Sequence, residues 1–345
     1  MKDRIIDAGL SFFRATSLDR VASVLTRGQG AILMFHNVRP ANPRAYAPNQ
    51  PLEITPEFLE TTIQLLARLK YEVIPVADVT ARLTANDGRR FAALTFDDGY
   101  RDNLEFAAPI LQRHATPYTI YVTTGFVNRT SRLWWLELEA AIGLLDHIDI
   151  EIAGDRFSVA ARTPEEKCNA YVGAYAFLRN HDESAMLDRI SALLAQSGAP
   201  DDFGHLCMRW DEIRTAAQDP LCTIGAHTLT HARLTKYDES FVRHELLESR
   251  DIIEREIGRR VVHLAFPFGD NLSAGPREFA IARECGYETA LTTRPGVLFP
   301  NHRDYLTALP RLAVHGGWQN VRSLESLLTG APFALWNLGR RVNVS

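Results

Sequence analysis

Apolar residues in this chain fall into short continuous runs, separated by longer polar and mixed segments. Such runs of five or six residues are typical of strands that are buried on both faces of a parallel sheet. Seven of these runs stand at residues 31–35, 71–76, 91–96, 118–123, 222–226, 261–266 and 288–292. The pattern therefore predicts a set of buried parallel strands.

Segments with helical periodicity lie between these runs. Thr55 and Pro56 begin one helix, because threonine is a good N-cap and proline is favoured at the first helical position. Residues 239–257 form another helix, which ends at Gly258. Strands that alternate with helices indicate parallel βα units. About seven such units in one chain predict an α/β fold with a closed (β/α) barrel rather than an open sheet.

Two stretches interrupt the alternation. Residues 37–54 are rich in proline, asparagine and alanine, which is typical of a loop. Residues 127–209 have a different character, with a strand pair near residues 148–158 followed by two helices. We interpret residues 127–209 as an α+β lobe inserted in a barrel loop, so that residues 1–345 form a single domain. Because loops at the carboxyl face of a barrel carry specificity, we expect this lobe above that face.

Composition excludes several classes of protein. Of 345 residues, 46% are apolar and 23% charged, which is typical of a globular chain and not of a disordered one. The net charge of −4 argues against a nucleic-acid partner. No apolar run approaches the ~18 residues of a transmembrane helix. The cysteines contain no C-x-x-C pair, and we expect free thiols at Cys168, Cys207, Cys222 and Cys285.

The two ends of the chain combine charged and apolar residues. Asp3, Arg4 and Asp7 interrupt any signal-peptide apolar region, so we expect a cytoplasmic protein. The tail at residues 336–341 is either a solvated end or a contact with lipid headgroups. Near the beginning of the chain, five apolar residues could form one face of a short helix: Ile5, Ile6, Leu10, Phe12 and Phe13. This face either packs on the domain or makes a weak peripheral contact with the inner membrane.

Two adjacent carboxylates follow the apolar run 91–96. Burying Asp97 and Asp98 side by side costs free energy unless a cation or hydrogen bonds compensate. Gly99 then allows a sharp turn of the backbone. Asp-Gly is also common in solvated turns, so this motif alone is compatible with a functional site or a simple turn.

Two histidines follow the run 222–226. His227 and His231 are four residues apart, which places them on one side of a helical turn and suits a divalent metal. They could also be unrelated surface histidines, and the missing glutamate of H-E-x-x-H disfavours a zinc protease. Taken with the aspartates, one carboxylate and two imidazoles are a common ligand set for catalytic zinc or iron.

Three segments in this order resemble the polysaccharide deacetylase family, carbohydrate esterase family 4. Residues 95–100 look like its T-F-D-D-G motif, residues 227–231 like its H-[ST]-x-x-H motif, and residues 265–269 like R-x-P-Y-G without the arginine. The resemblance covers residues 30–315 apart from the insertion. It implies a distorted (β/α)7-type barrel and a metal-dependent hydrolase that removes acetyl groups from amino sugars.

Carried over residue by residue, the resemblance implies roles for five positions. Asp98, His227 and His231 would hold a divalent metal, with zinc expected and iron, cobalt or nickel as alternatives. Asp97 would be the general base that takes a proton from the attacking water. The backbone N–H of Phe268 would donate to the oxyanion.

Two expected groups of the family are displaced in this sequence. Ala265 stands where the family has arginine, and Arg311 could replace it and orient Asp97, or could be a surface salt-bridge partner. The general acid is either His36 or His315. Some members begin the barrel at a shifted point with an early histidine, and this chain resembles that permuted subgroup, so we favour His36. Because the acid must be cationic, we expect an acceptor at its second ring nitrogen.

The predicted function is removal of an N-acetyl group from an amino sugar in a glycan or a lipid-linked saccharide. The same attack by water would serve a carbohydrate O-acetyl esterase or a non-sugar amidohydrolase, and the motifs do not separate these. A protein that only binds carbohydrate would have no need of Asp97. Trp134 and Trp135 either stack on sugar rings or fill the core.

Overall fold

The computed structural model describes residues 18–85 and 87–344. The strands of this part of the chain are β1 (Gly30–Phe35), β2 (Asn37–Val38), β3 (Glu53–Ile54), β4 (Tyr71–Val73), β5 (Arg90–Phe96), β6 (Tyr118–Val122), β7 (His147–Ile152), β8 (Asp155–Ala160), β9 (Cys222–Ala226), β10 (His263–Ala265), β11 (Thr289–Pro295) and β12 (Leu309–Ala313).

Helices lie between most of these strands. They are α1 (Leu18–Thr26), α2 (Pro56–Arg68), α3 (Val79–Ala85), α4 (Ala108–Arg113), α5 (Thr124–Val127), α6 (Trp134–Leu144), α7 (Pro164–Arg179), α8 (Glu183–Ser197), α9 (Trp210–Ala216), α10 (Glu239–Ile257), α11 (Pro276–Glu284), α12 (Val321–Leu328) and α13 (Ala331–Trp336). None of the helices in the described part of the chain is long and apolar enough to cross a membrane.

Seven parallel strands close into a barrel. Their order around the ring is β1, β12, β11, β10, β9, β6 and β5, and β5 pairs with β1 to close it. The closing pair runs from Gly30 beside Phe91 to Phe35 beside Phe96. All six residues of β1 are buried, as expected for a strand covered on both faces. The predicted (β/α) barrel is confirmed.

One predicted strand is not part of the ring. The run at residues 71–76 forms only the short β4, which pairs with the amino half of β5 outside the barrel. Tyr71 is buried and Glu72 is exposed, so this strand is covered on one face, and Pro75 follows it. Strand β12 takes the seventh place in the barrel instead.

The segments that interrupt the barrel have their own structure. Residues 37–54, expected to be a loop, contain the short parallel pair β2–β3. Between β6 and β9, helices α6, α7 and α8 pack around the antiparallel hairpin β7–β8. Residues in β7 are alternately exposed and buried, so Ile148, Ile150 and Ile152 face an apolar cluster separate from that of the barrel. This cluster gives the segment a core of its own.

Local capping signals set several helix ends. The hydroxyl of Thr55 accepts a hydrogen bond from the backbone N–H of Phe58 at the start of α2. Helix α10 ends at Gly258 in the left-handed conformation, with φ of 68°. The four cysteines are free thiols. The predicted apolar face formed by Ile5, Ile6, Leu10, Phe12 and Phe13 lies outside the described residues.

Candidate active site

The motif residues lie together at the carboxyl ends of the barrel strands. Asp97 and Asp98 follow β5, His227 follows β9, and Phe268 lies three residues beyond β10. His36 directly follows β1. Because parallel strands all end at the same face of the barrel, positions far apart in the chain come together there.

Asp98, His227 and His231 form a compact, buried cluster. The Nε2 atoms of both histidines lie 3.3 Å from Oδ1 of Asp98. One ligand atom from each of the three residues lies within 4.8 Å of the others. The sequence-based grouping of one carboxylate with two imidazoles therefore corresponds to a real cluster of side chains.

The protonation of this cluster suits a metal ion. Nδ1 of His227 lies 2.7 Å from the carbonyl oxygen of Ala265, and a carbonyl can only accept, so Nδ1 carries the proton. Metal binding requires the neutral ring, and in that form the lone pair of Nε2 faces Asp98. Oδ1 of Asp98 is buried and has no hydrogen-bond partner among the described residues. Three electron-rich atoms around one point are unfavourable without a cation, and this donor set is one that zinc binds.

The backbone at the site is strained in several places. Asp98, Thr228, His231 and Phe268 all have φ between 59° and 71°, in the left-handed region that residues other than glycine rarely adopt. Such conformations cost about 1–3 kcal/mol each and persist only where surrounding contacts enforce them. These four conformations lower the stability of the fold, and they direct the side chains and N–H groups of the strained residues toward the candidate site.

Glu245 is a site-supporting residue that the sequence reasoning missed. Its carboxylate is buried and accepts hydrogen bonds from the backbone N–H groups of Leu229 and Thr230, at 3.0 and 2.9 Å, and from the Thr230 hydroxyl. These bonds hold the turn between the two histidines. The signal was present in the sequence, because Glu245 lies beside Val242 and Leu246 on the buried face of α10.

Asp97 makes a bidentate ion pair with Arg311. Both carboxylate oxygens lie 2.7 Å from guanidinium nitrogens of Arg311, whose Nε donates to the carbonyl of Thr292 at 2.9 Å. Arg311 is almost fully buried, so the alternative of a surface salt bridge is wrong. Burial alone would raise the pKa of Asp97, but the adjacent guanidinium together with the nearby His227 and His36 outweighs burial and lowers it. Asp97 is therefore an ionised, oriented carboxylate.

The two candidate acids occupy different places. His36 lines the same cavity as Asp97 and Asp98, and its backbone carbonyl accepts a hydrogen bond from Asn103 at 2.7 Å. His315 is not among the residues that line this cavity; its ring stacks on Trp318 at 4.2 Å, and its Nδ1 accepts from the N–H of Gly317.

One expectation about His36 is wrong. No acceptor lies at the ring nitrogens of His36 among the described residues, since the nearby Asp97 is turned to Arg311. Burial lowers the pKa of His36, and the charges of Asp98 and Asp97 only partly oppose this effect. Within the described part of the chain, the imidazole therefore has no hydrogen-bonded carboxylate partner.

Phe268 combines a free backbone donor with a packed side chain. No group in the described part of the chain accepts a hydrogen bond from its N–H. Its ring lies 4.8 Å from that of His231, and the guanidinium of Arg179 lies 4.6 Å above it. Arg179 also pairs with Asp270 at 3.1 Å. The ring contacts fix the position of this residue beside the cluster of Asp98, His227 and His231.

A cavity of about 380 Å³ opens over the cluster. The segment between β6 and β9 supplies one wall, with Trp135, Tyr171 and Tyr175, and the loop after β2 supplies another, with Asn49. The hydroxyl of Tyr171 donates to Oδ1 of Asn49 at 2.9 Å, which ties the two walls together. The sequence reasoning singled out Trp135 but missed both tyrosines, since tyrosines inside a helix resemble ordinary core residues.

The two tryptophans have different environments. The ring of Trp135 lies 5.1 Å from that of His231, and its indole N–H donates to the hydroxyl of Tyr100 at 3.3 Å. Trp134 instead stacks on Tyr175 at 4.9 Å and does not line the main cavity. Trp135 faces the cavity, whereas Trp134 supports its wall.

Comparison with protein families gives one match. A family model described as polysaccharide deacetylase matches residues 84–290, which is more than half of the chain. The matched segment includes Asp97, Asp98, His227 and His231, but not His36 or Arg311. No curated protein matches the sequence.

Several solved structures share the fold at low sequence identity. The deacetylase PplD of Streptococcus pyogenes in complex with acetate has 17% identity and a TM-score of 0.53, over 86% of this chain and 97% of that one. IcaB from Ammonifex degensii has 14% identity and a TM-score of 0.54, over 87% and 97%. The de-N-acetylase from Aggregatibacter actinomycetemcomitans has 14% and 0.53, over 86% and 99%. At these identities the similarity establishes the fold.

Proposed function

This chain belongs to the polysaccharide deacetylase family, and we propose that it is a metal-dependent hydrolase that removes the acetyl group from the nitrogen of an acetylated amino sugar. The observation that carries the proposal is the pair of adjacent aspartates. Asp98 faces two histidines with an unpartnered oxygen, and Asp97 is held by Arg311. Two neighbouring carboxylates with such different partners are suited to two different tasks.

Asp98, His227 and His231 would hold the metal ion, for which the donor set favours zinc. Such an ion, when bound, supplies Lewis-acid polarisation of the acetyl carbonyl and lowers the pKa of water to about 7. Nδ1 of His227 donates to the carbonyl of Ala265, which fixes the ring and its tautomer. Glu245 holds the turn that carries His231.

Asp97 would accept the proton of the attacking water. The Arg311 guanidinium keeps the carboxylate ionised and fixes its plane. A carboxylate oxygen has more than one lone pair, so each oxygen can accept a further hydrogen bond while bound to Arg311. General base catalysis by a positioned carboxylate typically contributes about 10²–10⁴-fold to a rate.

The remaining groups would act on the acetyl group and the leaving nitrogen. The water oxygen bonds to the carbonyl carbon while the N–H of Phe268 donates to the developing oxyanion. The C–N bond then breaks, His36 protonates the leaving nitrogen, and the products are acetate and a free amine. Because no acceptor among the described residues orients the His36 ring, contacts with the substrate would do so.

The cavity walls support a sugar as substrate. Trp135, Tyr171 and Tyr175 present aromatic rings, and such rings pack well on the apolar faces of sugars. A glycan or a lipid-linked saccharide with an N-acetyl group fits this description. An O-acetylated carbohydrate would meet the same groups, so the preference for nitrogen over oxygen is a matter for experiment.

Acetate release from a panel of substrates tests the proposal. The panel contains N-acetylated glycans, O-acetylated glycans and lipid-linked N-acetylated saccharides, each assayed with zinc-loaded and chelator-treated protein. We expect release from N-acetylated sugars, loss after chelation and recovery on adding zinc. The Asp97→Asn variant serves as the matched control for contaminating activity.

Two results would contradict the proposal. Faster release from O-acetylated than from N-acetylated substrates would identify an esterase instead. Release that survives complete removal of metal, with no divalent ion in the protein, would exclude the metal-dependent mechanism.

A further inference from the structure

Helix α1 exposes its apolar side and buries its polar side. Leu18, Val21, Val24 and Leu25 are 50–79% exposed, whereas Asp19 on the opposite side is fully buried. Oδ1 of Asp19 binds Arg322 at 2.6 Å, and the hydroxyl of Thr26 donates to the carbonyl of Thr329 at 2.7 Å. A surface helix of a globular protein ordinarily has the reverse orientation. The polar contacts therefore hold α1 on the protein with its apolar face outward.

Helix α13 extends this exposed surface. It contacts α1, and Gly330 at its start lies so close to Thr26 that a Cβ atom would be 1.9 Å from the carbonyl oxygen. Three apolar side chains at the end of α13 and just beyond it are 41–88% exposed. We call the exposed side chains of both helices the apolar patch, and they are Leu18, Val21, Val24, Leu25, Leu335, Trp336 and Leu338. Exposed apolar side chains grouped on two contacting helices are typical of an interaction site.

The charged residues around the apolar patch carry an excess of positive charge. Residues 18–29 and 321–344 contain five arginines and two acidic residues. Asp19 is bound by Arg322, and Glu325 is bound by Arg68 at 2.5 Å and by Arg20 at 3.4 Å. The two acids are therefore occupied, and the remaining arginines give the surface an excess of positive charge. The partner should be negatively charged.

A recess lined with arginines lies beside α1. It has a volume of about 280 Å³, and Arg20, Arg27, Arg90 and Arg322 line it together with a single carboxylate, that of Glu325. Arg90 lies 5.1 Å above the ring of Tyr71, which holds the guanidinium in place. Guanidinium groups bind phosphate oxygens in a bidentate manner, so a phosphate group suits this recess.

We propose that α1 and α13 dock the protein on a membrane surface that contains anionic phospholipid. The apolar patch enters the boundary between headgroups and acyl chains, and the arginines bind lipid phosphates. Apolar residues on one side of a helix with arginines beside them are characteristic of helices that lie in the membrane interface. This inference does not depend on the reaction that the cavity supports.

Other occupants of the apolar patch fit the charges less well. A second copy of this chain would place two positive surfaces against each other. The segment at residues 1–17 contains three basic and two acidic residues, so it offers no net negative charge to match the arginines. An anionic lipid surface can cover the apolar patch with acyl chains and bind the surrounding arginines with its phosphate groups.

The docking surface and the catalytic cavity are at different parts of the barrel. Helix α1 leads through Gly28 into the amino end of β1, whereas His36 and the metal-ligating cluster lie at the carboxyl ends of the strands. Substitutions in the apolar patch should therefore leave hydrolysis of a water-soluble substrate unchanged. This activity, together with circular dichroism, reports whether each variant is folded.

Vesicle flotation with the full-length protein tests the proposal. We expect binding to vesicles that contain phosphatidylglycerol, little binding to pure phosphatidylcholine, and weaker binding at high salt. The double variant Val21→Glu/Val24→Glu should lose at least tenfold in binding. The matched control is Leu144→Glu, which changes an exposed apolar side chain on α6 and should bind like the wild type.

A second set of variants tests the charges with little risk to folding. Arg27→Gln and Arg340→Gln should each weaken binding to anionic vesicles by about fivefold. The exposed Arg260 lies outside this surface, and Arg260→Gln should have no effect.

Four outcomes would overturn the proposal. The first is no binding to phosphatidylglycerol vesicles, and the second is equal binding by wild type and both sets of variants. The third is a concentration-dependent dimer that Val21→Glu/Val24→Glu abolishes, without vesicle binding, because this would assign the apolar patch to a second copy. The fourth is binding that depends on residues 1–17 and not on the apolar patch.

Discussion

The barrel ends and the segment between β6 and β9 contribute different kinds of residue to one cavity. The barrel supplies carboxylates and imidazoles, each fixed by a partner, as with Asp97 on Arg311 and His227 on the carbonyl of Ala265. The segment supplies aromatic rings such as Trp135 and Tyr175. Under the proposed function, chemistry and recognition would be carried by separate parts of the chain. Substitutions at the barrel ends should change turnover, and those in the segment should change substrate binding.

The largest expected effect is that of His227→Ala. Removing one imidazole leaves two protein ligands, so we expect the variant to lose the bound divalent ion and essentially all deacetylase activity. Metal analysis after dialysis measures the first effect and acetate release the second. The matched control is His315→Ala, which should retain both because His315 stacks on Trp318 outside the cavity. One ion per chain in His227→Ala would show that the metal lies elsewhere.

Asp97→Asn separates the two aspartates. The amide cannot take the proton from water, so we expect turnover to fall by about 10²–10⁴-fold while the metal content stays at the wild-type level. Steady-state kinetics and metal analysis on the same preparation check both parts. Denaturant unfolding controls for the buried Arg311 that this variant leaves without its charge partner. Turnover close to the wild type would remove Asp97 from the role of base.

His36→Ala tests the assignment of the acid. The leaving nitrogen of an amide needs a proton more than the oxygen of an ester does, so N-acetyl hydrolysis should fall by about 100-fold and O-acetyl hydrolysis by less. Comparing kcat for an N-acetylated and an O-acetylated sugar measures this difference. The reverse pattern, with His315→Ala impaired and His36→Ala normal, would exchange the two histidines.

Tyr175→Leu tests the recognition side of the comparison. Leucine keeps apolar packing against Trp134 but removes the ring that faces the cavity. An aromatic ring contributes about 0.5–1.5 kcal/mol beyond area burial, so KM should rise about two- to tenfold with kcat nearly unchanged. Tyr175→Phe retains the ring and should behave like the wild type. A fall in kcat at constant KM would mean that this segment takes part in the chemistry.

His302 lies outside the cavity, so replacing it should have the smallest effect on activity and should change only the stability of the fold at low pH. Burial lowers the pKa of His302 from 6.5 to about 4, and its Nδ1 accepts from the N–H of Phe299 at 2.9 Å. Between these pH values the unfolded chain binds more protons. The contribution to stability, up to about 3 kcal/mol, is therefore complete above pH 6.5 and is lost as pH falls toward 4.

Denaturant unfolding at pH 8 and pH 5 measures this contribution. We expect the free energy of unfolding of the wild type to be lower at pH 5, and His302→Asn to reduce the difference between the two pH values. His114→Asn is the matched control, since His114 is half-buried and pairs with Glu60. An unchanged difference in His302→Asn would assign the acid sensitivity to other groups.

The barrel and most of the candidate site could be predicted from local sequence. Apolar runs identified six of the seven barrel strands, because strands covered on both faces have few polar residues. The run at residues 71–76 failed because burial on one side also yields mostly apolar residues. The motif around Asp97 and Asp98 and the histidine pair were recognisable because metal and proton chemistry restricts both residue type and spacing. Membership of the permuted subgroup stays a prediction.

Other parts of the site depended on contacts between distant segments. Arg311 is far from Asp97 in the chain, and its sequence neighbours do not show whether it is buried. The tyrosines at 171 and 175 lie in a helix whose composition suits any core. The outward face of α1 was also hidden, because an amphipathic pattern does not reveal which side packs on the protein. In each case, contacts with residues that are remote in sequence decide whether a side chain is buried and which way it faces.

By itself, the sequence determined the element types, the closed α/β architecture and which side chains are the candidates for metal ligands and general base. Local periodicity and short motifs carry that information. Only the tertiary structure decided that Arg311 is buried against Asp97, that His36 rather than His315 enters the cavity, and that aromatic residues form its wall. The physical reason is that burial and hydrogen bonding depend on which strand ends meet, and barrel closure brings together residues that the chain keeps far apart.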